Sequence, residues 1–166
     1  KTYTLTLSQV STKLPGHPSP QPLHIPVQTA LLHDDGKPML ARLASDGDTT
    51  HQHLLELTET KQDFVFSEVT SEPIPSLLRG FSAPVILDYP LDASALSLLM
   101  CHDSDPYCRW DAGQRLTMLA LDDLIARQDA AIAADDRSGF HALVNPCRLF
   151  VKFFFSNVGD NTGFVA

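Results

Sequence analysis

Several features that define catalytic or membrane-spanning chains are missing from this sequence. It contains no His-Glu-x-x-His zinc motif, no Gly-x-Ser-x-Gly nucleophile elbow, and no glycine-rich loop for a phosphate or a dinucleotide. Its longest apolar run, residues 149–155, includes Lys152 and is far shorter than the roughly 18 residues that a membrane-spanning helix needs. These absences predict a chain without a membrane span and without a catalytic group that a local motif would identify.

Basic residues and cysteines are also few. Only 12 Lys and Arg stand against 20 Asp and Glu, which gives a formal net charge of -8. Because this charge repels phosphate backbones and anionic lipid surfaces, we expect no binding to nucleic acid or membranes. The three cysteines, Cys101, Cys108 and Cys147, form no regular disulfide framework. An odd number is typical of a reducing compartment, so we predict an intracellular location, in the cytoplasm or an organelle.

Proline is abundant only in the first part of the chain, where 10 of the 12 prolines fall within residues 1–90. This density excludes long helices there. Alternating apolar residues instead predict seven short strands, near residues 3–7, 23–31, 39–43, 53–58, 63–69, 77–81 and 85–89. Seven short strands separated by turn sequences are typical of a β-sandwich.

After residue 90 the apolar period changes from two to about 3.6. Asp92 is a plausible N-cap for a short helix, and Asp105-Pro106 is typical of the start of a second helix that extends to about residue 133. The second helix is apolar around most of its circumference, so we expect its packing partners to lie outside the chain. The predicted division is a sandwich at 1–90, the opening helices of an incomplete helical domain at 91–146, and an atypical tail at 147–166.

Two groups of residues could be imagined as metal ligands. His51 and His53 share one face of a predicted strand, but Glu56 falls on the opposite face, so we expect solvated side chains. The other group lacks Cys-x-x-Cys pairs, and we favour packing for its members, which are Cys101, His102, Cys108 and His141. No metal ligand, catalytic residue or cofactor is therefore predicted within this chain.

The segment Glu-Pro-Ile-Pro-Ser-Leu-Leu-Arg-Gly-Phe-Ser-Ala-Pro-Val at residues 72–85, followed by Arg-Trp-Asp-Ala-Gly-Gln at 109–114, is the most distinctive part of the sequence. These residues resemble the join between two domains in the aminopeptidase N family of alanyl-type zinc aminopeptidases. The resemblance runs from about residue 3 to about residue 130. It implies an immunoglobulin-like antiparallel β-sandwich followed by the first helices of an α-helical domain, a mainly β fold with α.

The resemblance also implies a role. The family's zinc motif and its Gly-x-Met-Glu-Asn motif are absent here, so none of its zinc ligands or catalytic residues can be assigned to this chain. The chain would be a non-catalytic linker or scaffold, inactive alone, in a parent that removes N-terminal residues from peptides with one zinc ion in its catalytic domain. Its partners would be the parent's catalytic and C-terminal helical domains. The alternative is a stand-alone sandwich that binds another protein without enzymatic activity.

Five residues are candidates for contacts between domains: Arg79, Phe81, Arg109, Trp110 and Asp111. Arg suits paired hydrogen bonds to carboxylates across a boundary, and a neighbouring ring adds apolar contact. The competing interpretation places Arg79 on the outward face of a strand and Arg109 in solvent on the first turn of a helix.

Overall fold

The computed structural model describes residues 1–10, 21–45 and 47–133. His141, Cys147 and the predicted tail at 147–166 lie outside these residues. The described strands are β1 (Tyr3–Ser8), β2 (Ile25–Leu32), β3 (Ala41–Leu43), β4 (Thr49–Thr50), β5 (His53–Leu57), β6 (Lys61–Ser67) and β7 (Ile74–Leu77). A 3₁₀ turn (Arg79–Phe81) and the helices α1 (Ala93–His102) and α2 (Pro106–Ala133) follow.

The strands form two antiparallel sheets. The described part of one sheet has the order β1-β6-β3-β4, and that of the other has the order β5-β2-β7. Alternation sets which side chains point inward, as in β5, where Leu55 and Leu57 are buried while Leu54 and Glu56 are exposed. Buried residues of both sheets, including Phe66 and Leu31, form one hydrophobic cluster. The immunoglobulin-like, mainly β architecture predicted with the resemblance is confirmed.

The end of β7 is where the predicted strands fail. The strand predicted at 77–81 is wrong beyond Leu77, because Leu78 adopts φ 59° and the chain enters the 3₁₀ turn. No strand forms in the described residues 82–92 either, so the prediction at 85–89 is also wrong. Val85 and Leu87 nevertheless pack against the core. Partly buried and exposed side chains alternate along residues 85–89 as they would in a strand, but this segment pairs with neither described sheet.

The two helices begin where the cap residues predict. The Asp92 carboxylate accepts a hydrogen bond of 2.7 Å from the backbone N–H of Ala95 at the start of α1. α1 buries Leu96, Leu99 and Met100. Lys1–Ala112 form one compact unit, and a second unit begins at Gly113. The division at residues 90 and 146 remains a prediction. No helix in the described ranges is both long and apolar enough to cross a bilayer.

Candidate functional site

The most elaborate side-chain chemistry lies where the sandwich meets the helices. The turn that follows β7 (residues 78–81) contacts the linker between α1 and α2 (residues 103–105). We call these two segments together the elbow. Both belong to the compact unit that ends at Ala112.

A buried ion pair holds the two segments of the elbow together. The Arg79 guanidinium donates from Nη1 to Asp103 Oδ1 at 2.7 Å, and from Nη2 to the Ser104 hydroxyl at 2.7 Å. Nη1 also donates to the Ser76 hydroxyl of β7 at 2.9 Å. The side chains of Arg79 and Asp103 are only 5% and 0% exposed. Arg79 is therefore not an outward strand residue, because the chain turns at Leu78 and directs its guanidinium inward.

A second carboxylate serves both segments at once. Asp105 Oδ2 accepts the backbone N–H of Gly80 at 2.9 Å, and Asp105 Oδ1 accepts the backbone N–H of Cys108 at 2.9 Å. The second bond is an N-cap on α2, which begins at Pro106. Asp103 Oδ1 in turn accepts the Asp105 N–H at 2.8 Å. The start of α2 and the turn after β7 thus depend on one side chain.

The turn is backbone-strained. Leu78 has φ 59° and Phe81 has φ 55°, in the left-handed region that residues with a Cβ rarely adopt. Each such residue costs about 1–2 kcal/mol relative to right-handed backbone. Gly80, at φ 63°, adopts the same region without that cost. The hydrogen bonds from Arg79 and to Asp105 hold this conformation.

Three aromatic rings lie beside the elbow in a row formed by Phe81, Tyr107 and Trp110. The centroids of Phe81 and Tyr107 are 5.2 Å apart, and those of Tyr107 and Trp110 are 6.2 Å apart. Phe81 is 52% exposed and Trp110 is 60% exposed. Burial raises the pKa of Tyr107, and the negative charge of Asp111 adds to that increase. The aromatic row is an apolar surface open to solvent.

Arg109 and Asp111 complete the set of predicted contact residues. Arg109 is half-buried, and its Nε donates to the main-chain carbonyl of Met100 at 3.1 Å, near the end of α1. It is therefore not a solvated first-turn residue. Asp111 is also half-buried. The five predicted residues lie on the elbow or on the first turns of α2, and their role between domains stays a prediction.

Sequence reasoning missed the side chains that connect these five residues. Asp103 and Ser104 were not singled out, although they accept the hydrogen bonds of Arg79. Tyr107, which joins the ring of Phe81 to that of Trp110, was missed as well. Asp105 was recognised only as a helix cap. The sequence Asp103-Ser104-Asp105-Pro106 did carry a signal for this site. It has two carboxylates, whereas an N-cap on α2 needs only one, so the other was available to pair with a basic residue.

The histidines of the first imagined metal group do not converge. His51 is exposed in a bend, whereas His53 is buried in β5 with its ring 5.2 Å from that of Phe66. Glu56 is exposed, and its Oε1 lies 3.2 Å from His24 Nε2. The expectation that His53 is solvated is wrong, because inward positions of β5 face the core.

The cysteine group gives no metal site among the residues that the structure describes. Cys108 is buried, and its Sγ donates to the carbonyl of Leu77 at 3.3 Å. Burial raises the pKa of the Cys108 thiol to about 12, so it is not a thiolate at neutral pH. Cys101 is a partly buried free thiol. Within the described ranges, no three His, Cys, Asp or Glu side chains are placed to hold a metal ion. These residues do not fit a zinc ion.

Two family descriptions match the sequence. Residues 1–90 match a domain of unknown function, DUF3458, described as an Ig-like fold. Residues 93–149 match DUF3458_C, described as ARM repeats.

Several proteins similar to this chain are aminopeptidases. Aminopeptidase N of Escherichia coli (strain K12) is 40% identical over 114 residues, which cover 69% of this chain and 13% of that protein. Aminopeptidase N of Haemophilus influenzae is 36% identical over 115 residues, with coverage of 69% and 13%. In a crystal structure of Legionella pneumophila aminopeptidase A with aspartic acid, the matching part has a TM-score of 0.59 and 28% identity, and covers 75% of this chain and 13% of that one. The chain thus spans about an eighth of the length of these relatives, and the resemblance drawn from the sequence is confirmed.

Proposed function

The chain belongs to the DUF3458 family of Ig-like domains, and from its similarity to a small part of aminopeptidase N we propose that it is the non-catalytic scaffold of a longer zinc aminopeptidase. In this proposal the sandwich spaces the parent's catalytic domain from its helical domain. The reaction removes N-terminal residues from peptides, and its zinc ion and reacting groups belong to the catalytic domain. The substrate peptide meets this chain only through the parent.

The elbow is the observation that carries the proposal. A scaffold must fix the direction in which one domain leaves another, and buried, charge-assisted hydrogen bonds do this better than flexible linkers. Arg79 bonds from the turn to Asp103 and Ser104 of the linker, and Asp105 caps α2 while it holds the turn. The first turn of α2 is therefore tied to the turn after β7 through the side chain of Asp105.

Exposed apolar side chains support the presence of partner domains. Phe81 and Trp110 keep more than half of their surface in solvent. We assign them, together with Arg79, Arg109 and Asp111, to contacts between domains of the parent, in which the two Arg side chains stiffen the join and the rings meet the partner. The stand-alone adaptor is not favoured, because the relatives share this chain as a small part of a peptidase.

The intracellular location is part of the same proposal. Both described cysteines, Cys101 and Cys108, are free thiols. Unpaired thiols are typical of proteins kept in a reducing compartment.

Peptidase assays on two polypeptides test the proposal. The full-length product of the gene that contains this chain should release a chromogenic amine from an alanyl substrate, and a zinc chelator should abolish the release. The purified 166-residue chain should release none and should retain no zinc after dialysis. Activity in the isolated chain, or a full-length product without chelator-sensitive activity, would overturn the assignment.

A further inference from the structure

One face of α2 is apolar and exposed in a regular pattern. Met118, Leu121 and Ile125 are 57%, 45% and 57% exposed, and they follow one another at spacings of three and four residues. Gln114, four residues before Met118, and Gln128, three residues after Ile125, are also exposed and continue the same spacing at either end. These five side chains lie on one stripe of the helix, about 21 Å long at about 1.5 Å per residue. We call this stripe the α2 seam.

The spacing specifies what kind of surface fits the seam. Apolar residues that alternate at three and four positions are the pattern by which one α-helix packs lengthwise on another, with side chains of one helix inserted between those of its neighbour. An apolar centre with polar ends also matches the usual anatomy of a protein interface. Exposed charged side chains lie elsewhere on the circumference of α2, as at Asp122, Asp123 and Arg127. The two carboxylates disfavour an anionic membrane as the occupant.

The nature of the occupant follows from the region to which α2 belongs. Residues 93–149 match a description of ARM repeats. Repeats of this type do not bury their apolar faces alone, and each covers the next in a stack. The chain spans 13% of the length of its aminopeptidase N relatives, so most of such a parent lies outside it.

We propose that the α2 seam is the docking surface for one helix of a neighbouring helical repeat in the same longer polypeptide. The inference rests on the proposed function, since it needs a parent that supplies that repeat. It adds the identity of the contacting residues and the helical nature of the partner. Met118, Leu121 and Ile125 form the centre of the contact, and the two glutamines lie at its ends.

Cysteine accessibility tests the seam directly. Leu121→Cys is introduced in a background in which Cys101 and Cys147 are serine, both in the 166-residue chain and in the full-length gene product. Because Cys108 is buried, the new thiol dominates labelling by a maleimide. We expect rapid labelling in the isolated chain. In the full-length product the labelling rate should be lower by roughly tenfold or more, because the thiol reacts only when the docked helix opens locally. Met118→Cys should behave in the same way.

Asp123→Cys is the matched control, because Asp123 is exposed on α2 outside the seam. It should label rapidly in both polypeptides, which shows that the reagent reaches α2. Equal labelling of Leu121→Cys in both polypeptides would refute the docking surface. Slow labelling of Leu121→Cys already in the isolated chain would also refute the docking surface. A dimeric mass would then show that a second copy covers the seam, and a monomeric mass would show that the chain's own residues cover it. Chelator-sensitive activity of the full-length product, measured in parallel, reports separately on the proposed function.

Discussion

Burial shifts the pKa of individual side chains in this protein far enough for a titration to detect. Burial raises the pKa of Tyr3 to about 12, and the neighbouring Tyr89 and Glu72 contribute further. A phenol whose pKa is higher in the folded state than in the unfolded chain stabilises the fold fully below the unfolded pKa, which is about 10. That contribution is lost as the pH rises from about 10 to about 12, because the unfolded chain releases the proton first.

We therefore expect Tyr3→Phe to lessen the loss of stability in alkali. Urea midpoints measured at pH 8 and pH 11 should fall less between these two values in the variant than in the unmodified chain. Tyr107→Phe is the comparison, because burial also raises the pKa of the half-buried Tyr107 but less than that of Tyr3, so this variant should lessen the alkaline loss less. A fall in midpoint that Tyr3→Phe leaves unchanged would contradict the assignment.

The Cys108 thiol should be inert while the protein is folded. Only a small fraction is thiolate at neutral pH when burial holds the pKa near 12, and the thiolate is the reactive form. In a Cys101→Ser, Cys147→Ser background, we expect a thiol-exchange reagent to react with Cys108 only at denaturant concentrations that unfold the chain. The reaction would be followed by the absorbance of the thiolate that the reagent releases. Rapid reaction in native buffer would show that the site opens more readily than its burial indicates.

At this scale, the sequence predicted some positions and not others for identifiable reasons. Asp92 and Asp105 were recognisable as caps, because capping depends on residues only three positions away. The pairing of Arg79 with Asp103 joins positions 24 apart and has no local signature. His53 was misread for a similar reason, since an inward strand position depends on which face the opposite sheet covers.

Among the elements, the elbow decides how the first helices are attached. Arg79 and Asp103 form an ion pair that is almost fully buried. Breaking such a pair on one side leaves an uncompensated charge and typically costs about 3–5 kcal/mol, whereas replacing both partners with apolar residues of similar volume costs far less. We expect Arg79→Met and Asp103→Leu each to lower the unfolding free energy by that amount. The double variant should lose much less than the sum, as measured by chemical denaturation. Strict additivity of the two losses would contradict a direct pair.

The double role of Asp105 gives a second prediction at this scale, with a matched control. Asp92→Ala removes only a helix cap, which costs about 1 kcal/mol. Asp105→Ala removes a cap and also the acceptor for Gly80, so we expect a loss of about 2 kcal/mol. Thermal unfolding of the two variants, followed by circular dichroism, would compare them. Equal losses would mean that the bond to Gly80 contributes nothing.

Element types were predictable where periodicity is long and regular. α2 repeats apolar residues over many turns, and β1 alternates Tyr3, Leu5 and Leu7 with polar residues. The strand expected at 77–81 failed because left-handed backbone at Leu78 and Phe81 leaves no trace in hydrophobic pattern, and only Gly80 hinted at a turn. β4 has two residues and is too short to show a period.

At the scale of the whole molecule, the acidic surface governs solubility. The chain carries a formal net charge of -8 at pH 7, and its isoelectric point is about 5.1. Because the α2 seam and the aromatic row remain exposed, we expect self-association to be strongest near pH 5, where repulsion between molecules vanishes. Light scattering between pH 4 and 8 at low salt would measure it. Met118→Gln with Ile125→Gln should reduce the scattering peak. A peak that these changes leave intact would point to another surface.

The fold class and the aminopeptidase resemblance could be predicted for the whole molecule because they rest on many residues at once. The placement of the candidate site could not, since it depends on contacts between the turn after β7 and a linker some 25 positions later in the chain. Absent motifs were as informative as present ones. Because the His-Glu-x-x-His motif is absent, none of the family's zinc ligands was assigned to this chain.

The carboxylate of Asp105 also constrains how the sequence can diverge. It accepts hydrogen bonds from two main-chain amides, those of Gly80 and Cys108, which belong to separate elements. A substitution at position 105 must therefore be accommodated in two places, and only a glycine tolerates the backbone at position 80 without strain. In distant homologues, positions 80 and 105 should accordingly be retained or exchanged together, while the neighbouring surface drifts independently.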